Sequence, residues 1–186
     1  TYMLNVGPRG DGTIPQRAQK NLLGAGKWIK QNAATVYGAG ESPWQKAFSW
    51  GDVTTQKGKI YLHIYEWPEN GILYLPGLQN SVASAKILNT DIKVKSLKNG
   101  DWTILTMPRL KPQSMIPVVE LSYKGRLAVD SSLALDGQTP VELLSVFSKT
   151  DNCQMTSLRW MEKFGEWKHA ECINKWQKNS KVSWDL

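Results

Sequence analysis

At 186 residues, 41% hydrophobic and 21% charged, the chain has the make-up of a globular protein with room for one sizeable domain and appendages. No window approaches the ~20 consecutive apolar residues of a membrane-spanning helix, and no basic, apolar, small-residue leader opens it. The net charge of +7 raises nucleic acid as a partner, but the 23 Lys and Arg are scattered. That pattern describes a solvated basic surface and argues against a nucleic-acid binder.

The first stretch, TYMLNVGPRGDGTIP (residues 1–15), reads as a strand, a glycine turn and the start of a helix. A phosphate-binding loop has the same order, but its glycines let backbone N–H groups approach an anion. Here Pro8 removes a donor, Asp11 puts negative charge where phosphate would sit, and no Lys-Ser/Thr pair follows. Phosphate binding is therefore rejected. Beginning at Thr1 and stopping on the strand-like KVSWDL, the chain reads as cut at both ends.

Residues 14–37 carry a helical period, with Ile14, Ala18, Leu22, Ala25, Ile29, Ala33 and Val36 on one stripe. Pro15 suits the first turn, where its missing N–H leaves no bond unmade, and Gly38 and Gly40 are the expected stop. Such a helix needs an apolar partner, so an exposed Leu22/Ile29/Val36 face implies a missing one.

After a loop at 38–50 the period changes to two. Strands are expected at 59–67, 71–78, 83–88, 92–97, 101–107 and 117–123, separated by turn residues, with Asn99-Gly100 signalling a type I′ hairpin. Six such runs predict an antiparallel β-sandwich. Beyond residue 126, SLALDG reads as one more strand, whereas LRWMEKFGEWKHAECINKW favours neither helix nor strand.

Three stretches in order carry a family resemblance: YMLNVGPRGDGTIP, GKWIKQNAATVYG, and WGDVTTQKGKIYLHIYEWPENGILYLPGL. Together they resemble the end of the catalytic barrel and the start of the β-sandwich in glycoside hydrolase family 29 α-L-fucosidases. The likeness is clearest over residues 1–80 and weaker to about 125. The resemblance implies a mainly β chain: the last strand and helix of a (β/α) barrel at 1–37, a linker loop at 38–50, and an antiparallel β-sandwich at 51–125. Residues 126–186 would begin a partial accessory β module, because FGEWKHAECINKW resembles the lead-in to such modules in bacterial fucosidases.

The implied activity is hydrolysis of terminal α-linked L-fucose from glycans by a retaining mechanism, without metal or organic cofactor. The implied location is periplasmic, extracellular or lysosomal. The family's carboxylates and fucose-holding residues lie on barrel strands before this chain begins, so no catalytic residue is assigned here. The chain alone is expected to be inactive and to need the missing barrel segment as partner.

The remaining candidates come from residue chemistry. Asp52, Glu66, Glu69, Asp101, Glu120 and Asp130 show no pairing pattern; solvated or salt-bridged sheet-edge positions account for them. Asn5 would sit at the active-site end of a barrel strand, or simply brace the Gly7–Gly12 turn. Trp44, Trp160 and Trp167 fall in irregular segments, as does Trp176. Exposed rings there would stack on the apolar face of a sugar, packing being the competing role. Trp28, Trp50, Trp67 and Trp102 are expected to be packing residues.

Cys153 and Cys172 are a candidate disulfide in an oxidising compartment, and no Cys/His spacing supports a metal. Two other readings stay open. A free-standing carbohydrate-binding sandwich would bind fucosylated glycans, and a structural or interaction domain would form oligomers without binding sugar.

Overall fold

The computed structural model describes residues 6–44, 48–130, 143, 145, 148–157 and 171–184. The chain divides into two compact units, residues 1–131 and 132–186. In the first, helix α1 (Gln16–Gln31) and a 3-10 turn (Ala33–Thr35) precede strands β1 (Gly51–Gln56), β2 (Lys59–Ile64), β3 (Ile72–Pro76), β4 (Val82–Ile87), β5 (Lys95–Asn99), β6 (Trp102–Thr106) and β7 (Val118–Tyr123). In the second, β8 (Lys149–Asp151) pairs with β11 (Lys181–Ser183), and β9 (Gln154–Ser157) with β10 (Glu171–Asn174), both antiparallel.

The strands of the first unit form two antiparallel sheets, ordered β1-β2-β7-β4 and β3-β6-β5. Side chains alternate across a strand, so each sheet presents one face to the other. Val53, Ile60, Leu62, Ile64, Ala85, Ile87, Val119 and Leu121 of the larger sheet meet Leu73, Leu75 and Leu105 of the smaller in one core. This is the expected β-sandwich. Full burial of each Leu or Ile contributes about 1.5–3 kcal/mol, which makes this layer the main source of stability.

The outer face of the larger sheet is also covered. Tyr61, His63, Val118 and Glu120 are buried, on the side where α1 and the 3-10 turn dock. The Trp28 indole lies 5.9 Å from the His63 ring and donates its N–H to Ile116 O at 2.8 Å. Gln56 Nε2 donates to Ala34 O at 2.6 Å.

Several sequence expectations are corrected. The helix stops at Gln31, not at Gly38, because Asn32 folds back: its backbone N–H and its Nδ2 both donate to Trp28 O, and a 3-10 turn takes over. Pro15 sits just outside, at the N-cap. Of the Leu22/Ile29/Val36 face only Val36 is exposed, while Leu23, off the stripe, is 74% exposed.

Strand β1, GDVTTQ, lies outside the expected runs; its composition is polar, and pairing with β2 makes it a strand. The run at 92–97 is split between sheets. Ile92 O accepts from Ile87 N and Val94 N donates to Ala85 O, both in β4, and only from Lys95 does the chain pair with β6. Finally, the β5–β6 turn is Gly100-Asp101, one residue later than expected. Gly100 has φ +54 and Asp101 no positive φ, the pattern of a type II′ turn, which places glycine first.

The 38–50 loop is tied into the sandwich. Gly40 exchanges both backbone hydrogen bonds with Thr55, and Trp44 belongs to the core. Glu120 is not a sheet-edge carboxylate. It lies on the inner strand β7, 7% exposed, 2.9 Å from Lys59 Nζ and 3.8 Å from Lys86 Nζ. Both lysine side chains stay about half exposed, so the carboxylate is neutralised without burying a second charge. The hydrogen bond to Glu120 raises the Lys59 pKa.

Candidate functional site: the groove beside the helix

An open groove of about 800 Å³ runs between α1, the turn after β4 and the segment leading into β7. Its polar lining is made of uncharged groups, Gln31, Asn32, Asn89, Thr90, Gln113 and Ser114, with Lys27 the one charged residue. Trp28, Ile87, Leu88, Ile92, Met115 and Pro117 supply apolar surface. No Asp, Glu, His or Cys contributes to its wall.

Four of these six polar side chains are already hydrogen-bonded within the fold, the Asn89–Asn32 pair across to the end of the helix. Asn89, in a left-handed conformation at φ +60, donates from Nδ2 to Gln31 O at 2.9 Å and to Asn32 Oδ1 at 3.1 Å. Asn and Asp are the non-glycine residues that tolerate this conformation best. The Thr90 hydroxyl donates to Ile87 O and that of Ser114 to Ile116 O. Chemically, the groove can seat a largely neutral surface, and its wall supplies one ammonium and two hydroxyls but no carboxylate, imidazole or thiol.

The candidates named from the sequence fare differently. Trp44 is 3% exposed, its ring edge-on to Phe48 at 5.8 Å and its indole N–H donating to Pro76 O at 2.6 Å. That burial leaves no ring face for a sugar, so its role is packing. Asn5, Trp160 and Trp167 lie outside the described residues, as do SLALDG and most of LRWMEKFGEWKHAECINKW. Within that run Glu171–Asn174 form β10.

Trp50 stacks on Phe48 at 4.6 Å, Trp67 Nε1 donates to Pro108 O, and Trp102 is 4% exposed, so all three serve packing as expected. Trp176, outside the core, is 59% exposed.

Cys153 and Cys172 are free thiols. Cys172 is opposite Thr156, three residues beyond Cys153. At a strand rise of about 3.3 Å per residue this separation, roughly 10 Å, exceeds the ~7 Å limit for a bridge. The disulfide expectation is corrected accordingly. Among the described residues no three His, Cys, Asp or Glu side chains gather as a metal site would require, and no helix is long and apolar enough to cross a membrane.

Glu66 and Glu69 are exposed. Asp52, across the ladder from His63, accepts a 2.8 Å hydrogen bond from the Tyr65 hydroxyl. Burial first, and then this bond to a carboxylate, push the Tyr65 pKa up to about 12. A phenol raised this way favours the folded state less as pH climbs past the ordinary value of ~10, because the unfolded chain ionises first. In an ultraviolet titration one tyrosine is expected to ionise near pH 12, and Asp52→Asn should bring it down. An unchanged midpoint in that variant would refute the pairing.

What the described residues define is an antiparallel β-sandwich with a helix on its outer face, the groove beside it lacking carboxylates. No protein-family model matches the chain. Its relatives are α-L-fucosidases. The chain is 33% identical over 132 residues to tissue α-L-fucosidase of Mus musculus, covering 63% of this chain and 26% of that protein. It is 30% identical over 131 residues to α-L-fucosidase of Dictyostelium discoideum, covering 63% of this chain and 28% of that one.

Among solved structures, α-L-fucosidase from Vibrio sp. strain EJY3 matches with a TM-score of 0.60 and 29% identity over 68% of this chain and 23% of that chain. Isoenzyme 1 from Paenibacillus thiaminolyticus matches with a TM-score of 0.57 and 28% identity, over 66% and 30% respectively. The chain is thus similar to a C-terminal portion of the family 29 α-L-fucosidases. It spans about a quarter of the length of the curated relatives it matches.

Proposed function

We propose that this chain is the non-catalytic C-terminal portion of an α-L-fucosidase whose whole enzyme removes terminal α-linked L-fucose from glycans with retention of configuration. The observation that carries this reading is the joint match, in sequence and in sandwich fold, to α-L-fucosidases over about two thirds of the chain. A retaining glycosidase needs two carboxyl groups about 5 Å apart, one as nucleophile and one as acid/base. The groove beside α1 has none in its wall, which fits a portion that supports a catalytic barrel rather than one that performs the reaction. Residues 1–37, α1 among them, would be the last repeat of that barrel. Fucosylated glycan is then the partner of the whole enzyme, in a periplasmic, extracellular or lysosomal setting, and neither metal nor organic cofactor is required.

The test is turnover of a chromogenic aryl α-L-fucoside. The chain by itself is expected to give none, and the chain joined to an upstream fucosidase barrel is expected to be active. Turnover by the isolated chain would overturn the non-catalytic assignment. A barrel that works equally well with and without this sandwich would overturn the supporting role.

A further inference from the structure

Among the described residues, three pairs join asparagine or aspartate to a following glycine: Asp11-Gly12, Asn70-Gly71 and Asn99-Gly100. In such a pair the side-chain carbonyl carbon is open to attack by the next main-chain nitrogen, because glycine has no Cβ to shield that nitrogen. Attack needs both groups free to rotate toward each other. Each hydrogen bond that must open first lowers the reactive fraction.

The fold treats the three pairs differently. At Asn70, Oδ1 accepts from Ile72 N at 2.9 Å. Gly71 N donates to Pro68 O at 2.9 Å, and Gly71 O accepts from Met107 N at 2.7 Å. A Cβ on Gly71 would lie 2.5 Å from Met107 O, so this backbone has little room to turn. At Asp11, Gly12 N donates to Arg9 O at 2.9 Å, and Asp11 Oδ1 accepts from both the hydroxyl and the N–H of Thr13. Those two bonds hold the carboxyl below the usual range, and an ionised carboxylate is a poor electrophile.

Asn99-Gly100 has none of these restraints. Asn99 is exposed at the tip of the β5–β6 hairpin, and its side chain has no hydrogen-bond partner among the described residues. Nor does Gly100 N–H, and the space a Cβ would occupy there is empty to 4 Å. What holds the pair is the pairing of Asn99 with Trp102 across a two-residue turn.

We propose that Asn99 is a self-modifying site of the folded chain, converted through a succinimide to aspartate and isoaspartate, and that the fold keeps Asn70 and Asp11 from the same reaction. Gly100 N gives its proton to hydroxide and attacks Asn99 Cγ. The new C–N bond forms as the Cγ–Nδ2 bond breaks, and the leaving nitrogen takes a proton from water and departs as ammonia. Water then opens the ring. Addition at Cγ gives aspartate, whereas addition at the former main-chain carbonyl gives isoaspartate, with the chain running through the side-chain carbon. No oxidant or reductant is involved.

Either product puts a carboxylate beside Lys98 and lowers the net positive charge of the chain. Isoaspartate also adds a methylene to the main chain at the turn, which spoils the fit of a two-residue connection. The element it loosens is β5, an edge strand whose residues are all exposed.

The test is to age the full chain in mildly alkaline buffer and follow Asn70 and Asn99 separately by peptide mass mapping with fragmentation. The amide-to-acid mass gain is expected at least about tenfold faster at Asn99 than at Asn70, whose two hydrogen bonds at the reacting groups must open first. In concentrated guanidinium, where neither pair is held, the two rates should converge. Equal rates in the folded chain, a faster Asn70, or a difference that persists in guanidinium would each overturn the assignment. An Asn99 that stays intact in the folded chain while the unfolded chain converts would do the same. An isoaspartyl methyltransferase, which esterifies the freed main-chain carboxylate, should label the aged chain at residue 99, and converted chain without that label would overturn the isoaspartate product.

Discussion

Replacing Gly77 by alanine is expected to destabilise the first unit by about 3–5 kcal/mol, at the upper end of single-substitution effects. Gly77 has φ +70, a left-handed conformation that costs a residue bearing a Cβ roughly 1 kcal/mol or more. Steric overlap costs more than the backbone conformation. A Cβ at this position would lie 1.8 Å from Asp130 O and 2.8 Å from its carbonyl carbon. The neighbour is backbone, and it cannot swing aside. Gly77 N donates to Asp101 O at 2.7 Å, and Gly77 O accepts from Asp130 N at 2.8 Å, so the two backbone segments would have to part.

A thermal melt should show a fall of roughly 10 °C, taking about 3 °C per kcal/mol for a unit of this size. A melting point within ~2 °C of the parent would show that the Gly77–Asp130 approach does not bear on stability. The same glycine ends LPG in GILYLPGL, one of the stretches behind the family resemblance, and the close approach gives that residue a physical reason.

The second large effect concerns Trp44. Truncation to alanine should cost about 3–5 kcal/mol, the usual range for an aromatic removed from a core. Phenylalanine should recover part of that, because it restores ring volume but not the N–H bond to Pro76 O. Urea unfolding of the three proteins would give the order. The contrasting outcome is a Trp44→Ala protein of parental stability, which would return Trp44 to the surface role suggested by its irregular surroundings. The ordering matters for function as well, since a core tryptophan cannot serve as a sugar platform without unfolding its loop.

The elements that sequence reasoning located best are those whose identity rests on local pattern. β2, β3, β6 and β7 lie within the expected runs, because apolar alternation and bounding turn residues describe a strand with one face in a core. The failures share a cause. GDVTTQ is polar and becomes β1 only through its partner β2; residues 92–97 read as one strand, yet hydrogen-bond to β4 first and β6 afterwards. Trp44 read as a loop aromatic because nothing nearby in sequence reveals that Pro76 offers its carbonyl. Glu120 read as an edge charge because Lys59 and Lys86 come from two other strands. The candidate groove was not legible at all, since its walls come from segments far apart along the chain, α1 on one side and residues 112–118 on another.

By itself the sequence determined the class of fold, the β-sandwich with a leading helix, and the family resemblance, because both depend on periodicity and on the order of motifs along the chain. Only the tertiary structure decided where the helix ends, that the larger sheet is covered on both faces, that Trp44 is core, that the two thiols stay apart, and that His63 is hydrogen-bonded through Thr54 to the 3-10 turn. Each of those depends on which distant backbone or side-chain atom arrives within hydrogen-bonding or van der Waals range, and a one-dimensional pattern does not contain that distance.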